Sequence, residues 1–342
     1  MSGPMIEIDG SYGEGGGQIL RTSIALSAVT GQDVHIANIR ANRPKPGLAP
    51  SHITSIEAVA RICDAEGDNL FAGSKDVVFR PRQLTGGDFE FDVGTAGSIS
   101  MIIQSCLLPA VLSKARIMLT VKGGTDVRWS PPIDFMRLIH LQMLAKFGPV
   151  CHLDIESRGF YPEGGGAVEL EVSPVSRLAP ISLDDRGKVE GITGIAFAQN
   201  LPEHVVTRMK HSALKRLIGQ PDVRIDSQLS KGPSTGAGIV LAAECSGTVL
   251  AASALGERGV KAETLGEGCA DDLLETMRSG ATVDENMLDQ IIPYMALAGP
   301  GCVVLAEEMT GHAETNLWVT ERFLGKRFSV SKIGALVELR TI

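Results

Sequence analysis

A four-residue block, Glu14-Gly15-Gly16-Gly17, recurs as Glu163-Gly164-Gly165-Gly166, and this recurrence limits what the chain can fold into more than any other feature. Units repeated along a chain mean a repeat architecture. The first copy follows a short apolar run, Met5 to Ile8, and leads into Ile19, Leu20, Ile24, Ala25 and Leu26, which are spaced as one face of a helix. The second stands behind Gly159-Phe160-Tyr161-Pro162, and a third glycine turn, Lys122-Gly123-Gly124-Thr125-Asp126, again follows a strand-like run. The expectation is an α/β chain built from several similar units, the first of them specialised.

Glycine admits positive φ and lets a ligand approach the backbone, and a helix start offers unpaired N–H groups that attract anions. The stretch Asp9 to Ser23 is therefore either a tight connection or a cradle for a phosphate. Two familiar cradles are excluded. The dinucleotide pattern G-x-G-x-x-G, begun at Gly13, needs glycine where Gln18 stands. A P-loop needs Gly-Lys-Ser/Thr, and Gly187-Lys188 and Gly325-Lys326 are followed by Val189 and Arg327.

With 342 residues, 44% of them hydrophobic, the chain can build one large or two ordinary domains. A formal charge of −8 argues against nonspecific coating of nucleic acid but leaves room for a local basic pocket. Six cysteines lie far apart with no Cys-x-x-Cys, which suggests neither a zinc site nor a disulfide framework. With no signal-like segment and no apolar run near the ~18 residues of a spanning helix, a soluble cytoplasmic protein is expected.

Along the chain, Arg40, Arg43 and Lys45 lie on a segment stiffened by Pro44 and Pro46, either a phosphate grip or a solvated loop. Ser51 to Cys63 reads as a helix with Ser51 as its N-cap. The nearly all-apolar helix Ile99 to Leu112 carries Gln104 as its one strong polar group, and a buried amide needs partners. A helix is expected at Ile133 to Phe147, after Trp129 and Pro131. The texture changes after Pro174, and residues 186–279 read as an inserted smaller α/β domain, leaving 1–185 and 280–342 as the large domain. Near the end, His312 is placed in a turn between a strand, Cys302 to Ala306, and a helix, Thr315 to Phe323, where α/β proteins put chemistry. The other six histidines form no pair with metal-ligand spacing and read as structural.

Together these motifs make the chain resemble an RNA 3′-terminal phosphate cyclase from about Met5 to its end. The carriers are Asp9 to Arg21, Arg40 to Gly47, Gly94 to Gln104, Gly123 to Asp126 with Pro131-Pro132, Arg158 to Gly166, and His312-Ala313-Glu314-Thr315-Asn316. The resemblance implies a large catalytic domain of repeated units, each two helices on a four-stranded sheet, with a smaller inserted α/β domain. It implies ATP and an RNA with a 3′-terminal phosphate as substrates, and a divalent metal, Mg or Mn. His312 matches the family's nucleophile, which takes AMP from ATP and passes it to the RNA 3′-phosphate; the 2′-hydroxyl then closes the 2′,3′-cyclic phosphate. Glu14 matches the metal-binding carboxylate and Gln104 a nucleotide-contacting glutamine. Glu285, Asn286, Met287, Leu288 and Asp289 match the nucleotide-binding segment. Pro131 packs on adenine in this scheme, and Arg21, Arg40 and Arg43 hold phosphates.

Asn286 departs from members that offer adenine an aromatic ring from that segment, a place Trp129 can fill unless it is a core residue. Two other classes compete: cyclase-like ribosome-assembly factors without nucleotidyl transfer, and enolpyruvyl transferases, which also repeat α/β units. His312 together with Glu14 and Gln104 speaks against the first. ATP with 3′-phosphorylated RNA separates all three.

Overall fold

The structure, a computed structural model, describes residues 4–342. Its first unit runs β1 (Ile6–Asp9), α1 (Gly17–Thr30), β2 (Val34–Ala37), α2 (Pro50–Cys63), β3 (Glu66–Asp68) and β4 (Val77–Arg80). The sheet order is β1-β2-β4-β3, with β1 and β2 parallel and the other neighbours antiparallel. A parallel pair requires a crossover connection, and α1 supplies it. Ile8, Val34, Ile36, Val77 and Phe79 alternate along these strands to face the helices and are buried.

The second unit repeats this plan: β5 (Gly87–Asp92), α3 (Ile99–Val111), β6 (Ile117–Gly123), α4, β7 (Val150–Ser157) and β8 (Gly166–Ser173), in the order β5-β6-β8-β7. Here α4 is one continuous helix, Ile133–Phe135 passing through a π-helical turn at Met136–His140 into Leu141–Ala145. The helix α3 packs on α1 and α2 as well as on its own sheet, which is why it is apolar all round.

The third unit begins with β9 (Ser182–Leu183) and is then interrupted by β10 (Val189–Gln199), α5 (Glu203–Arg216), β11 (Val223–Ser230), β12 (Gly236–Cys245), β13 (Val249–Leu255) and α6 (Ala262–Ser279). It resumes as α7 (Glu285–Ala298), β14 (Val303–Ala306), α8 (Gly311–Leu324), β15 (Phe328–Ile333) and β16 (Leu336–Thr341), with sheet order β15-β16-β14-β9. Strand β9 pairs parallel with β14, so the third unit has the same β-α-β-α-β-β plan as the other two. The interrupting segment differs: its order β11-β10-β12-β13 belongs to a β-α-β-β-β-α run.

Alternation in that fourth sheet sorts side chains to two cores. Ile239, Leu241 and Ala243 meet α5 and α6 in one apolar cluster. Val240 and Ala242, with Ile195 and Phe197, join the core of the repeated units. A buried ion network ties the two parts together: Arg158 donates to Asp126 Oδ2 at 3.0 Å, to Asp134 Oδ2 at 2.6 Å and, through Nε, to Gln228 Oε1 at 2.9 Å. Its guanidinium lies 3.8 Å from the centre of the Phe197 ring.

Several local expectations are corrected. Helix α2 begins one residue early because Pro50 suits a first helical position, and its cap is not Ser51: Ala49 N–H donates to His52 Nδ1 at 3.0 Å. Helix α8 begins at Gly311, so His312 lies in its first turn rather than in a preceding loop; Thr310 is the cap, accepting from Ala313 N–H at 3.1 Å. Trp129 is 91% exposed and is no core residue.

Removing Arg158 alone leaves Asp126 buried without its cation and Asp134 with only Arg137, 2.6 Å from its other oxygen. Arg158→Leu is expected to cost roughly 3–5 kcal/mol. Urea unfolding measures it, and a loss under about 1 kcal/mol contradicts a structural role for the network.

Candidate active site

The first glycine turn is shaped by the side chains pressed onto it. Gly13 and Gly15 have φ of 56° and 58°, the left-handed region glycine enters without penalty. A Cβ on Gly15 would lie 2.8 Å from Asn42 Nδ2, one on Gly16 3.2 Å from Arg43 Nη2, and one on Gly17 would collide with the His52 ring. The chain from Arg40 to Arg43 is thus folded over the start of α1. Gly16 caps α1 without any side chain, so the helix presents its free N–H groups beside Arg43.

The start of α8 arrives at the same place from the other end of the sequence. His312 Nε2 lies 3.3 Å from Glu14 Oε2, and Arg43 Nη2 lies 3.7 Å from the same oxygen. Gly311 lets the two approach closely, since a Cβ on it would lie 3.0 Å from Glu14 Oε1. Tyr12 stacks on Trp318, ring centres 4.1 Å apart and planes 11° from parallel, holding the turn against α8. Two helix N-termini and an arginine therefore converge on one carboxylate and one imidazole. An anion entering here meets a positive local field despite the net charge of −8.

Behind His312 a polar network links three helices. Gln18 of α1 donates to Asp289 Oδ2 of α7 at 2.6 Å, Asn316 of α8 donates to the Asp289 carbonyl at 2.7 Å, and Thr22 donates to Asn316 Oδ1 at 2.7 Å. Burial pushes the Asp289 carboxyl up to about 6, against the pull of the Gln290 hydrogen bond and the His312 charge. Arg21 faces Asp289 from α1; burial pushes its guanidinium down to about 10, with Asp289 opposing that. His52 is held down to about 3, first by burial and then by Arg21 and Arg40, so it stands as a neutral ring among cations.

The sequence-matched residues are thus only partly assembled. Glu14, Arg43 and His312 touch, and Arg21 and Gln104 share a cleft lined also by Gln18, His140 and Tyr294. Arg40 is half-buried with Nη1 donating to the Gly47 carbonyl at 2.9 Å. Glu285 and Asn286 are exposed at the start of α7 and Asp289 joins the network, but Met287 and Leu288 are wholly buried in the core. Pro131 is half-buried in the loop before α4. The sequence does not single out Gln18, His52, Asn316 or Asp284 as site residues; Gln18 and Asn316 lie within the motifs that carry the family resemblance, while His52 reads as one more polar position on α2.

Asp284 caps α7, accepting from Asn286 and Met287 N–H at 3.1 and 2.9 Å, and burial pushes it up to about 7. A raised carboxyl contributes stability that is fully present below its unfolded value near 3.8 and is lost as pH rises through about 7. Asp284→Asn keeps a capping oxygen and removes the ionisation. Thermal melts should therefore show the variant gaining on the parent between pH 5 and pH 8; an unchanged difference across that range, which brackets the value near 7, contradicts the assignment.

Comparison with known proteins places the chain as a whole. A family model described as RNA 3′-terminal phosphate cyclase matches residues 12–330. A protein of Methanosarcina barkeri bearing that name is 44% identical over 338 residues, 98% of this chain and 99% of the relative. Proteins of the same name from Nitrosospira multiformis and Archaeoglobus fulgidus are 42% and 44% identical, covering 98% and 96% of this chain and 96% and 99% of their own lengths. Among the described residues no helix is long and apolar enough to cross a membrane. The chain belongs to the RNA 3′-terminal phosphate cyclase family.

Proposed function

We propose that the protein converts an RNA 3′-terminal phosphate to a 2′,3′-cyclic phosphate at the expense of ATP, with AMP carried first on His312 and then on the RNA. The observation that carries this reading is the His312–Glu14 contact of 3.3 Å at the meeting of two helix N-termini. In the first step an imidazole nitrogen of His312 bonds to the α-phosphorus of ATP and the bond to pyrophosphate breaks. A neutral imidazole is nucleophilic near neutral pH, and its phosphoramidate is reactive enough to hand AMP on. In the second, an oxygen of the RNA 3′-phosphate bonds to that phosphorus and the P–N bond breaks. In the third, the 2′-hydroxyl attacks the 3′-phosphorus, loses its proton, and AMP leaves. An unactivated phosphate would have to expel oxide, so each transfer replaces one hard displacement with an easier one.

Glu14 orients the His312 ring in the free protein. Arg43 and the free N–H groups of α1 and α8 face the place where charge gathers on phosphoryl oxygens. Among the described residues no group of three His, Cys, Asp or Glu side chains is arranged to hold a metal. The residues fit a Mg- or Mn-type ion held through Glu14 with substrate oxygens completing its shell, since such ions take one or two carboxylates plus phosphates. The ion would neutralise charge on the phosphates. The large domain, 1–185 and 280–342, carries this chemistry in our reading, while 186–279, which holds none of these residues, serves RNA handling in the cytoplasm.

Two outcomes are expected with ATP and 3′-phosphorylated RNA. His312→Asn should lose cyclisation by a factor on the order of 10⁴ or more, yet still close an RNA whose 3′-phosphate already carries AMP. Glu14→Ala should slow the first step by roughly 10² to 10³, with the fold intact. A His312→Asn protein that cyclises plain 3′-phosphate RNA refutes the scheme, as does a Glu14→Ala protein with parental rates across a divalent-metal titration.

A further inference from the structure

One helical turn beyond His312, the cleft shared by Arg21 and Gln104 ends on a histidine that nothing in the scheme above uses. His140 is 2% exposed, and neither ring nitrogen has a hydrogen-bond partner among the described residues. It sits at the end of the π-helical turn of α4, an irregularity that re-aims a side chain and is frequent at functional sites. Two neighbours are similarly short of partners. Gln18 Oε1 is buried and unbonded, and Gln104 donates only a long 3.9 Å contact to the Met136 sulfur. Polar groups buried in this way lose water with no return unless something is bound.

The chemistry of these groups narrows the occupant. Burial pushes the His140 ring down to about 4, so near neutral pH it offers one N–H donor and one acceptor. Gln18 Oε1 is an acceptor, and the Gln104 amide is both. Arg21, which shares the cleft, suits a phosphate; seated against His140 and Gln18 Oε1, though, a phosphate, which only accepts, would set its oxygens on their acceptors. A hydroxyl donates and accepts and suits all three. The cavity measures about 40 Å³, room for a few waters and of the size for a hydroxyl edge. We infer that this cleft is a subsite for a ribose hydroxyl and that His140 is the residue that reads it.

The inference rests on the proposed use of ATP and RNA, and either can supply the hydroxyl: the ribose of ATP, or the terminal ribose of the RNA. Equilibrium binding of ATP, 2′-deoxy-ATP and 3′-deoxy-ATP, measured beside AMP-adduct formation from each, separates the sources in the whole protein, in His140→Leu and in His140→Gln. If the sugar is that of ATP, the parent should favour ATP over one deoxy analogue by about tenfold or more, since a site built to bond a hydroxyl rejects the analogue lacking it. His140→Leu should then bind all three at the deoxy level, and His140→Gln should recover part of the preference. If the sugar is that of the RNA, nucleotide preference is unaffected, and His140→Leu instead slows closure of RNA already carrying AMP by about tenfold or more, with partial recovery in His140→Gln. Discrimination in binding without any adduct sinks the adenylation scheme and keeps the subsite. Parental nucleotide preference and parental RNA closure in both variants, with melting temperatures no lower than the parent's, overturn the subsite and leave adenylation standing. Should His140→Leu not fold, His140→Gln decides: parental behaviour in both assays together with parental behaviour of Gln104→Leu overturns the inference.

Discussion

The seam between the first and third repeated units is the contact on which the site depends. Glu14 meets His312, Gln18 meets Asp289, Thr22 meets Asn316 and Tyr12 stacks on Trp318, all pairing the start of the chain with its end. None of these partners is placed by its own local structure alone. The glycine turn is bent by Arg43, His52 and Asn42 from the first unit, and the imidazole is delivered by a helix whose sheet is completed by the two-residue strand β9 on the far side of the insertion. The third unit must therefore close around a segment nearly as long as a small domain before His312 can reach Glu14.

The electrostatics of this seam run against the average of the molecule. Arg21, Arg40 and Arg43 lie close enough for Arg43 to press the Arg40 guanidinium below its usual range, after burial, and for Arg21 and Arg40 to keep His52 neutral. Like charges gathered at a helix N-terminus disfavour the empty protein and favour one that holds an anion, so part of the binding energy for a triphosphate or an RNA end is stored in the fold. Asp289 limits that repulsion from behind, where it is buried and half held by Gln18.

The glycine turn and the strand–helix alternation were legible because each is a local pattern: the apolar periodicity of α1, the apolar run of α3. The recurrent Glu-Gly-Gly-Gly pointed to repeated units for the wrong reason, since its copies are not equivalent: residues 14–17 join β1 to α1, whereas 163–166 lie in the connection from β7 to β8. What was not legible is what only tertiary contact creates. Strand β9 is two residues long and exists only as the partner of β14. The start of α8 was missed because Gly311, a poor helix former, occupies its first position under the Thr310 cap. The terminal hairpin of β15 and β16 has too little burial on β15 to show an apolar face. Within the 285–289 segment, exposure of Asn286 and burial of Leu288 follow from helix phase, which family likeness does not report. The roles of His140 and His52 were hidden because a lone histidine in an apolar or polar helix reads the same whatever it faces.

The central claim is that His312 is a nucleophile, and the most direct test is mass spectrometry of the intact protein after incubation with ATP and a divalent ion, followed by peptide mapping. The account predicts one added AMP per chain, located on His312, lost in acid, kept in mild base as a phosphorus–nitrogen bond requires, and removed by excess pyrophosphate. AMP mapped to a lysine, or no adduct from a protein that nonetheless cyclises RNA with ATP, contradicts it.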